Sequence, residues 1–277
     1  MKVVLFCGGF GLRMREFSES VPKPMVPIGV RPILWHIMKY YAHFGHREFI
    51  LCLGWKAHII KEFFLDYEEC VSNDFVMSAG GDSIKLLSKD IEDWTITFVD
   101  TGSHSCIGER LQAVEHLLEG EQYFLANYTD GLSDVPLPDV IDAHKRKDAI
   151  ATFVSVKPTY SYHAIEADDN GAVHSVTPID KRNIWMNGGF FVLSREIFRY
   201  MLPGEELVAE PFARLIRENR LFTYKHDGFW GCMDTYKEKQ SLDDMHAHDD
   251  TPWAVWKTSK KPELVRPANG RQRAFPR

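Results

Sequence analysis

Short apolar segments alternate with amphipathic helical patterns through the first half of the chain, and this alternation restricts the possible folds most strongly. Residues 2–7 form an apolar run that leads directly into glycines, which is typical of a buried parallel strand followed by a loop. Further strands are predicted at 48–53, 94–99 and 123–126, and helices at 31–44, 57–67 and 109–118. Alternating strands and helices predict an α/β fold with a parallel sheet and right-handed crossovers.

The second half of the chain has a different pattern, with strands in closer succession. Strands are predicted at 149–156, 188–193 and 221–226, a hairpin at 163–177 around the turn 168–171, and helices at 196–200 and 210–218. We expect these strands to extend the first sheet and to form one wall of a substrate pocket. Residues 258–277 are rich in Lys, Arg, Pro, Gly and Gln, which predicts a disordered basic tail.

Charge and cysteine usage exclude several classes of protein. A net charge of −6 argues against nucleic acid as the main partner, since such a protein would need a basic surface. We find neither a signal peptide nor an apolar run of membrane-spanning length, so we expect no membrane partner. The cysteines are scattered and form no CxxC pair, which favours reduced thiols and a cytoplasmic location: Cys7, Cys52, Cys70, Cys106 and Cys232.

A glycine-rich loop with two nearby cations follows the first strand. Gly8, Gly9 and Gly11 would let the backbone approach a phosphate and direct its N–H groups at it. Arg13 lies in the loop, and Lys23 follows between two prolines that restrict its backbone. Such cations suit a triphosphate, because they oppose the charge that grows on a leaving pyrophosphate. The alternatives are a tight turn between strand and helix and a solvated lysine.

Two aspartates are candidates for a metal site. Asp130 follows the strand at 123–126, and Asp234 follows the strand at 221–226. Ligands of open α/β sheets bind at the carboxyl ends of the strands, and magnesium prefers one or two carboxylates together with substrate phosphates. The alternative is that an aspartate before glycine, such as Asp130, is only a turn residue.

The motifs, taken together, resemble those of sugar-phosphate nucleotidyltransferases. GGFGLRM is similar to the GGxGTRL signature of that family, and VPKPMVPIG contains its KPM motif. RPILWHIMKYY, FILCLGWKAHIIKEFF, WTITFVDTG, GERL, NGGFFVL, GFWGCMDT and PWAVW follow in the same order, and they most resemble the branch that transfers cytidylyl groups to glucose 1-phosphate. The resemblance covers about residues 1–257.

The resemblance implies a fold, a domain and a reaction. The fold would be Rossmann-like and similar to glycosyltransferase A, with a mostly parallel mixed sheet and extra strands at the sugar pocket. A single domain would span 1–257, with its nucleotide-binding part at 1–135 and its sugar-binding part at 136–257. The sugar-phosphate oxygen would attack the α-phosphorus of a nucleoside triphosphate, CTP by the family branch, and pyrophosphate would leave. Mg²⁺ would be the cofactor, and family members are usually homo-oligomers.

The same resemblance assigns roles to individual residues. Arg13 and Lys23 would be catalytic, and Asp130 and Asp234 would bind Mg²⁺. The sugar phosphate would be bound by Lys181, Asn187 and Gly188. The predicted nucleotide-binding residues are Phe6, Cys7, Gly8, Gly9, Phe10, Gly11, Leu12, Arg13, Lys23, Ser105, Gly108, Arg110 and Thr129.

Three departures from the family pattern leave the substrate open. Leu12 stands where the family usually has Thr, and Thr129 where it usually has Gly. The family's Glu-Lys-Pro motif is missing before Asn187. Lys181 or Arg182 would make its phosphate contact from a shifted position, or both would be solvated charges. The alternatives are therefore another base, another hexose or heptose, or a non-catalytic nucleotide-sugar sensor. A glycosyltransferase would require an Asp-x-Asp pair, and we find no convincing one after a mid-chain strand.

Overall fold

A central sheet of seven strands organises the computed structural model, which describes residues 1–9, 21–87, 90–158 and 162–258. The order of its strands is β14-β10-β13-β8-β1-β4-β7, and the eight other strands pair as four two-stranded sheets. The strands of the described residues are β1 Val3–Phe6, β2 Pro27–Ile28, β3 Arg31–Pro32, β4 Glu48–Leu53, β5 Phe75–Ser78, β6 Ser83–Leu86, β7 Thr95–Asp100, β8 Tyr123–Asn127, β9 Gly131–Ser133, β10 Ala151–Val156, β11 His163–Ala167, β12 Val173–Pro178, β13 Met186–Ser194, β14 Leu221–His226 and β15 Trp230–Cys232.

The direction of the strands confirms a mostly parallel mixed sheet. β8, β1, β4 and β7 are parallel neighbours, and β10 and β14 are parallel to each other. β13 is antiparallel to both β8 and β10. β10, β13 and β14 join the sheet of the first half, which is the extension that the sequence predicts.

Helices cover both faces of this sheet. The α-helices of the described residues are α1 Ile33–His43, α2 Ala57–Leu65, α3 Ile107–Ala113, α4 Leu137–Arg146, α5 Glu210–Arg217, α6 Tyr236–Ala247 and α7 Val255–Thr258. No helix in the described part of the chain is both long and apolar enough to cross a membrane.

The pleat of β1 supplies side chains to two separate cores. Val3 and Leu5 pack in a core with the buried side of α1, whereas Val4 and Phe6 pack in the opposite core with residues of α3 and α5. Successive side chains of a strand point to opposite faces of its sheet, so a strand that is apolar at every position is covered on both sides. The continuous apolar run at 2–7 therefore places β1 at the centre of the fold.

Several element boundaries differ from the prediction. The helix predicted at 31–44 begins at Ile33, because Arg31–Pro32 pairs with Pro27–Ile28 as a short strand. The helix predicted at 109–118 is instead α3 followed by a 3-10 turn at Glu115–Leu118. The helix predicted at 196–200 is a 3-10 turn at Arg195–Tyr200. The hairpin predicted at 163–177 is confirmed as β11 and β12.

Some elements were not predicted from the sequence. These are the pair of β2 and β3, the hairpin of β5 and β6, the short pair of β9 and β15, and helices α4, α6 and α7. Thr235 caps α6 and forms a capping box with Glu238, a sequence signal that would have located the start of this helix. The predicted tail lies outside the described residues except for Thr258, which ends α7.

A buried ionic cluster fixes the segment between α2 and β7 to the body of the protein. The Asp90 side chain is fully buried, and its oxygens lie 3.2 Å from Lys39 Nζ and 3.8 Å from Arg31 Nη2. The Tyr67 hydroxyl donates to the same carboxylate. Arg31 lies over the Tyr67 ring at 4.2 Å and donates to Ser72 Oγ.

We expect Asp90→Ala to lower the free energy of unfolding by about 3–5 kcal/mol, because the substitution leaves the buried Arg31 and the partly buried Lys39 without this carboxylate. Urea denaturation would measure the loss. Asp93→Ala is the matched control, since Asp93 pairs with Arg47 at the surface, where an ion pair contributes at most about 1 kcal/mol. Equal losses in the two variants would contradict this account of the cluster.

Candidate active site

A short strand pair brings two distant aspartates together. β9 pairs with β15 so that Gly131 lies opposite Cys232. Asp130 precedes β9 directly, and Asp234 follows β15 two residues after Cys232. The Met233 N–H donates to the Asp130 carbonyl at 2.8 Å, which continues the pairing as far as the aspartates. The ladder therefore places the two carboxylates side by side.

Lys23 lies between these carboxylates. Its Nζ donates to Asp130 Oδ2 at 2.9 Å and to Asp234 Oδ1 at 2.5 Å. The Lys23 side chain is 15% exposed, and those of Asp130 and Asp234 are 29% and 21% exposed. Burial alone would lower the pKa of Lys23, but the charge of Asp130 and the hydrogen bonds that Lys23 donates to both carboxylates raise it above its usual value. The ammonium thus holds a single positive charge where the two carboxylates meet.

Burial changes the pKa of Asp130 in the opposite sense to that of Lys23. It raises the pKa of Asp130, and the positive charge of Lys23 opposes that rise. Asp234 is held by its backbone, since its N–H donates to Glu238 Oε2 at 2.8 Å at the start of α6. The arrangement fixes both acids at one position and pairs them with a cation.

A thiol also faces this position, although the sequence interpretation gave it no role in the site. The Cys232 sulfur and one carboxylate oxygen each of Asp130 and Asp234 lie within 4.8 Å of one another. Cys232 and Asp234 are two residues apart at the end of an extended strand, a spacing that puts both side chains on the same face. That spacing is the signal that could have revealed the thiol. Burial, followed by the charge of Asp130, raises the pKa of Cys232 above its usual value.

The donor set fits a divalent cation. Carboxylate oxygens are the ligands that Mg²⁺ prefers, and the Lys23 ammonium already places a positive charge against both of them. The three side chains Asp130, Cys232 and Asp234 could therefore hold a metal ion, with Lys23 displaced.

Arg110 connects the first part of the glycine loop to two neighbouring loops. Its guanidinium donates to the Gly8 carbonyl at 3.0 Å, to the Leu53 carbonyl at 3.2 Å and to Thr101 Oγ1 at 2.8 Å. A Cβ at Gly8 would lie 1.9 Å from Arg110 Nη1, so a larger residue here would displace the guanidinium from its present position. The structure thus places Arg110 inside the protein, beneath the loop.

Only part of the predicted phosphate loop can be located. Gly8 is buried and Gly9 is exposed, whereas Phe10, Gly11, Leu12 and Arg13 lie outside the described residues. The Phe6 and Cys7 side chains are buried in the two cores. Any contact that these two residues make with a ligand would therefore come from their backbone.

Thr129 connects the end of β1 to the acidic loop. Its backbone has a φ of 65°, a left-handed conformation that is costly for a β-branched residue. Its hydroxyl donates to the Phe6 carbonyl at 2.8 Å, and its N–H donates to Asn127 Oδ1 at 2.9 Å. These bonds hold the residue before Asp130 in place. The positive φ explains physically why the family usually has glycine at this position.

Ser105 and Gly108 lie where α3 begins, on the loop after β7. Ser105 Oγ donates to the Thr101 carbonyl at 2.5 Å. A Cβ at Gly108 would lie 2.1 Å from the Glu205 carbonyl, so glycine here allows α3 to pack closely against that segment. Arg110, two residues further along, joins this loop to Gly8.

Asn187 and Gly188 lie beside the acidic loop, whereas Lys181 does not contact it. Asn187 Nδ2 donates to the Tyr128 hydroxyl at 3.4 Å, and the Gly188 carbonyl accepts a hydrogen bond from Trp230 Nε1 at 2.9 Å. The Lys181 side chain is 72% exposed, with its Nζ 3.6 Å from Asp180. Arg182 pairs instead with Glu166 and donates to Ser175 on the β11–β12 hairpin.

The chain belongs to the nucleotidyl transferase family. The family model described as Nucleotidyl transferase matches residues 2–230. A probable glucose-1-phosphate cytidylyltransferase from Bacillus subtilis is 37% identical over 259 residues, which cover 92% of this chain and all of the relative. A glucose-1-phosphate cytidylyltransferase from Salmonella typhimurium is 35% identical over the same shares of both chains.

Solved structures show the same fold at lower sequence identity. UTP-bound UGPase from Acinetobacter baumannii superposes with a TM-score of 0.67 at 16% identity. The match covers 95% of this chain and 99% of that structure. The resemblance to sugar-phosphate nucleotidyltransferases inferred from the motifs is thus confirmed.

Proposed function

We propose that the protein transfers a cytidylyl group from CTP to glucose 1-phosphate or a related sugar 1-phosphate, giving a CDP-sugar and pyrophosphate. The observation that carries this proposal is the convergence of Lys23, Asp130 and Asp234 in a member of the nucleotidyl transferase family. The choice of cytosine and glucose is supported by the names of the relatives that are 35% and 37% identical.

The reaction is an in-line displacement that needs no protein nucleophile. A phosphate oxygen of the sugar 1-phosphate forms a bond to the α-phosphorus, and the bond from that phosphorus to pyrophosphate breaks. The protein contributes position and charge stabilisation. Lys23, once released from the two carboxylates, would neutralise charge on the phosphates. Arg13 has the matching role on the glycine loop.

Asp130 and Asp234 are the proposed ligands of Mg²⁺. When bound, the ion offsets negative charge on the phosphate oxygens. The two carboxylates would hold the ion in position, and the β9–β15 ladder keeps them at a fixed separation. Thr129 and Glu238 restrain the backbone at the two aspartates.

The two substrates would bind on opposite sides of the acidic pair. To nucleotide binding we assign Gly8, Gly9, Ser105, Gly108 and Thr129 and, by the family motif alone, residues 10–13. Arg110 acts from beneath as a positioning residue, because it is bonded to the Gly8 carbonyl. On the sugar side we place Asn187 and Gly188, supported by their contacts with Tyr128 and Trp230. Lys181 is exposed and would have to move to reach a phosphate.

Pyrophosphate release tests the proposed function directly. The protein is incubated with Mg²⁺, one of CTP, UTP, GTP or dTTP, and each of a panel of hexose and heptose 1-phosphates. We expect release with CTP and glucose 1-phosphate or a close relative. Release with a different triphosphate would show that the enzyme uses a base other than cytosine. If no pair releases pyrophosphate but a nucleotide-sugar shifts the melting temperature, the protein is a sensor on this fold.

We also propose a homo-oligomer in the cytoplasm. Apolar side chains are exposed on both projecting hairpins, among them Met77, Ile84, Ile165 and Val176. Such patches commonly mark contacts between protein chains. The location is supported by cysteines that are all unpaired in the structure, since each of the five lies in its described part.

A further inference from the structure

We propose that Cys232 is a third metal ligand of the acidic site and makes this site bind thiophilic divalent cations such as Cd²⁺ and Zn²⁺ more tightly than Mg²⁺. This inference rests on the proposed metal site at Asp130 and Asp234. It concerns which ions that site selects, which the nucleotidyl transferase reaction alone does not determine.

The geometry of the cluster supports a three-ligand site. The Cys232 sulfur and one oxygen from each aspartate lie within 4.8 Å of one another, so an ion between them needs only small side-chain rotations to reach all three. Bonds from Zn²⁺ to sulfur are about 2.3 Å and those to oxygen about 2.0–2.2 Å. Three protein ligands with an open fourth position form the usual arrangement for a reactive zinc ion.

The chemistry of the ligands predicts the order of affinity. Thiolate is a soft ligand that favours Zn²⁺ and similar ions, whereas Mg²⁺ takes hard oxygen ligands and keeps several of its waters. Cys232 therefore adds little for Mg²⁺ and a strong bond for Cd²⁺ or Zn²⁺. As the metal–sulfur bond forms, the thiol proton is released to the solvent, and no atom changes its oxidation state.

Lys23 makes the competition between ions sharper. Its ammonium lies 2.5 Å and 2.9 Å from the carboxylate oxygens, so an ion bound by both aspartates must first displace it. Without a nucleotide, Lys23 gains no phosphate partner in exchange. An ion that gains a third bond from sulfur can offset the loss of these contacts, whereas an ion held by two carboxylates is at a disadvantage.

Titration of the full-length protein with Cd²⁺, in the absence of any nucleotide, tests the inference. Formation of a cadmium–thiolate bond produces an ultraviolet charge-transfer band. We expect this band to saturate at about one equivalent in the unmodified protein. In Cys232→Ser the band should disappear and the Kd for Cd²⁺ should rise at least ~10-fold. Mg²⁺ in large excess should displace Cd²⁺ only weakly from the unmodified protein.

Cys106→Ser is the matched control. Cys106 is also partly exposed and lies close to acidic side chains, but its sulfur bonds to the Glu205 carbonyl, away from the aspartate pair. The control should keep both the band and the affinity. A band that persists in Cys232→Ser with an unchanged circular dichroism spectrum would overturn the inference, as would its loss in Cys106→Ser alone.

Binding and turnover separate this inference from the proposed function. If the protein gives the Cys232-dependent band but no pyrophosphate with any substrate pair, the proposed function fails and the metal inference stands. If it turns over with Mg²⁺ while Cys232→Ser binds Cd²⁺ as the unmodified protein does, the metal inference fails and the function stands.

Discussion

Asp130→Asn is expected to lower the rate of pyrophosphate release by about a thousandfold, which corresponds to the several kcal/mol that a bound metal ion contributes to a phosphoryl-type transition state. The amide keeps the size of the carboxylate and can still lie beside Lys23. It removes one of the two negative charges that would hold Mg²⁺. Steady-state release of pyrophosphate with saturating substrates would measure the effect.

The fold of this variant should be intact, because Asp130 is held by the backbone bond from Met233 as well as by its side chain. Asp142→Asn is the matched control, since Asp142 is exposed on the outer side of α4. Full turnover by Asp130→Asn would remove Asp130 from the metal site. Equal losses in both variants would indicate a general defect rather than a loss at the site.

Lys23→Met is expected to reduce turnover by roughly a hundredfold to a thousandfold, the range found when one preorganised charge-stabilising group is removed. Methionine retains the length of the side chain and lacks the ammonium that would oppose charge on the phosphates. Without the lysine, two carboxylates face each other with no cation between them. Added Mg²⁺ should therefore raise the melting temperature of Lys23→Met more than that of the unmodified protein.

Lys257→Met serves as the control for this variant. Lys257 forms an exposed ion pair with Asp249, so its loss should change neither turnover nor the response to Mg²⁺. If Lys23→Met keeps its turnover, Lys23 has no role in catalysis. If Mg²⁺ stabilises Lys23→Met and the unmodified protein equally, the lysine does not compete with the ion.

The strands of the central sheet were the most predictable part of the structure. Those at 48–53 and 221–226 were predicted with their observed bounds, and β1 to within a residue at each end. Each is a short run of apolar or β-branched residues next to a turn signal, so local composition decides its conformation. The overall arrangement then followed from the alternation of strands and helices.

The local geometry of the acidic site could not be predicted in the same way. β9 and β15 have three residues each and include glycines, so neither has a recognisable strand pattern. Their pairing is a long-range contact that no sequence window contains. The motifs indicated Asp130 and Asp234 as candidates, but only the ladder shows that Lys23 lies against both and that Cys232 faces them.

Arg110 shows a second reason why the positions of side chains could not be predicted from the sequence. The resemblance assigns it to nucleotide binding, and in the described residues its guanidinium donates to three groups of the protein. A buried arginine and an exposed one have the same sequence pattern near a helix start. Only the packing around Gly8 distinguishes them.

Because β13 runs antiparallel to β10, the region around Asn187 can change in evolution independently of the parallel strands. Val156 at the end of β10 pairs with Met186 at the start of β13. The segment between them therefore leaves the sheet and returns to it at the adjacent ends of these two neighbouring strands. Insertions or deletions between these two points can reshape the surroundings of Asn187 without shifting the register of any parallel strand. Changes in the segment between β10 and β13 would therefore alter which sugar phosphate is accepted, while the residues proposed to bind the triphosphate stay the same.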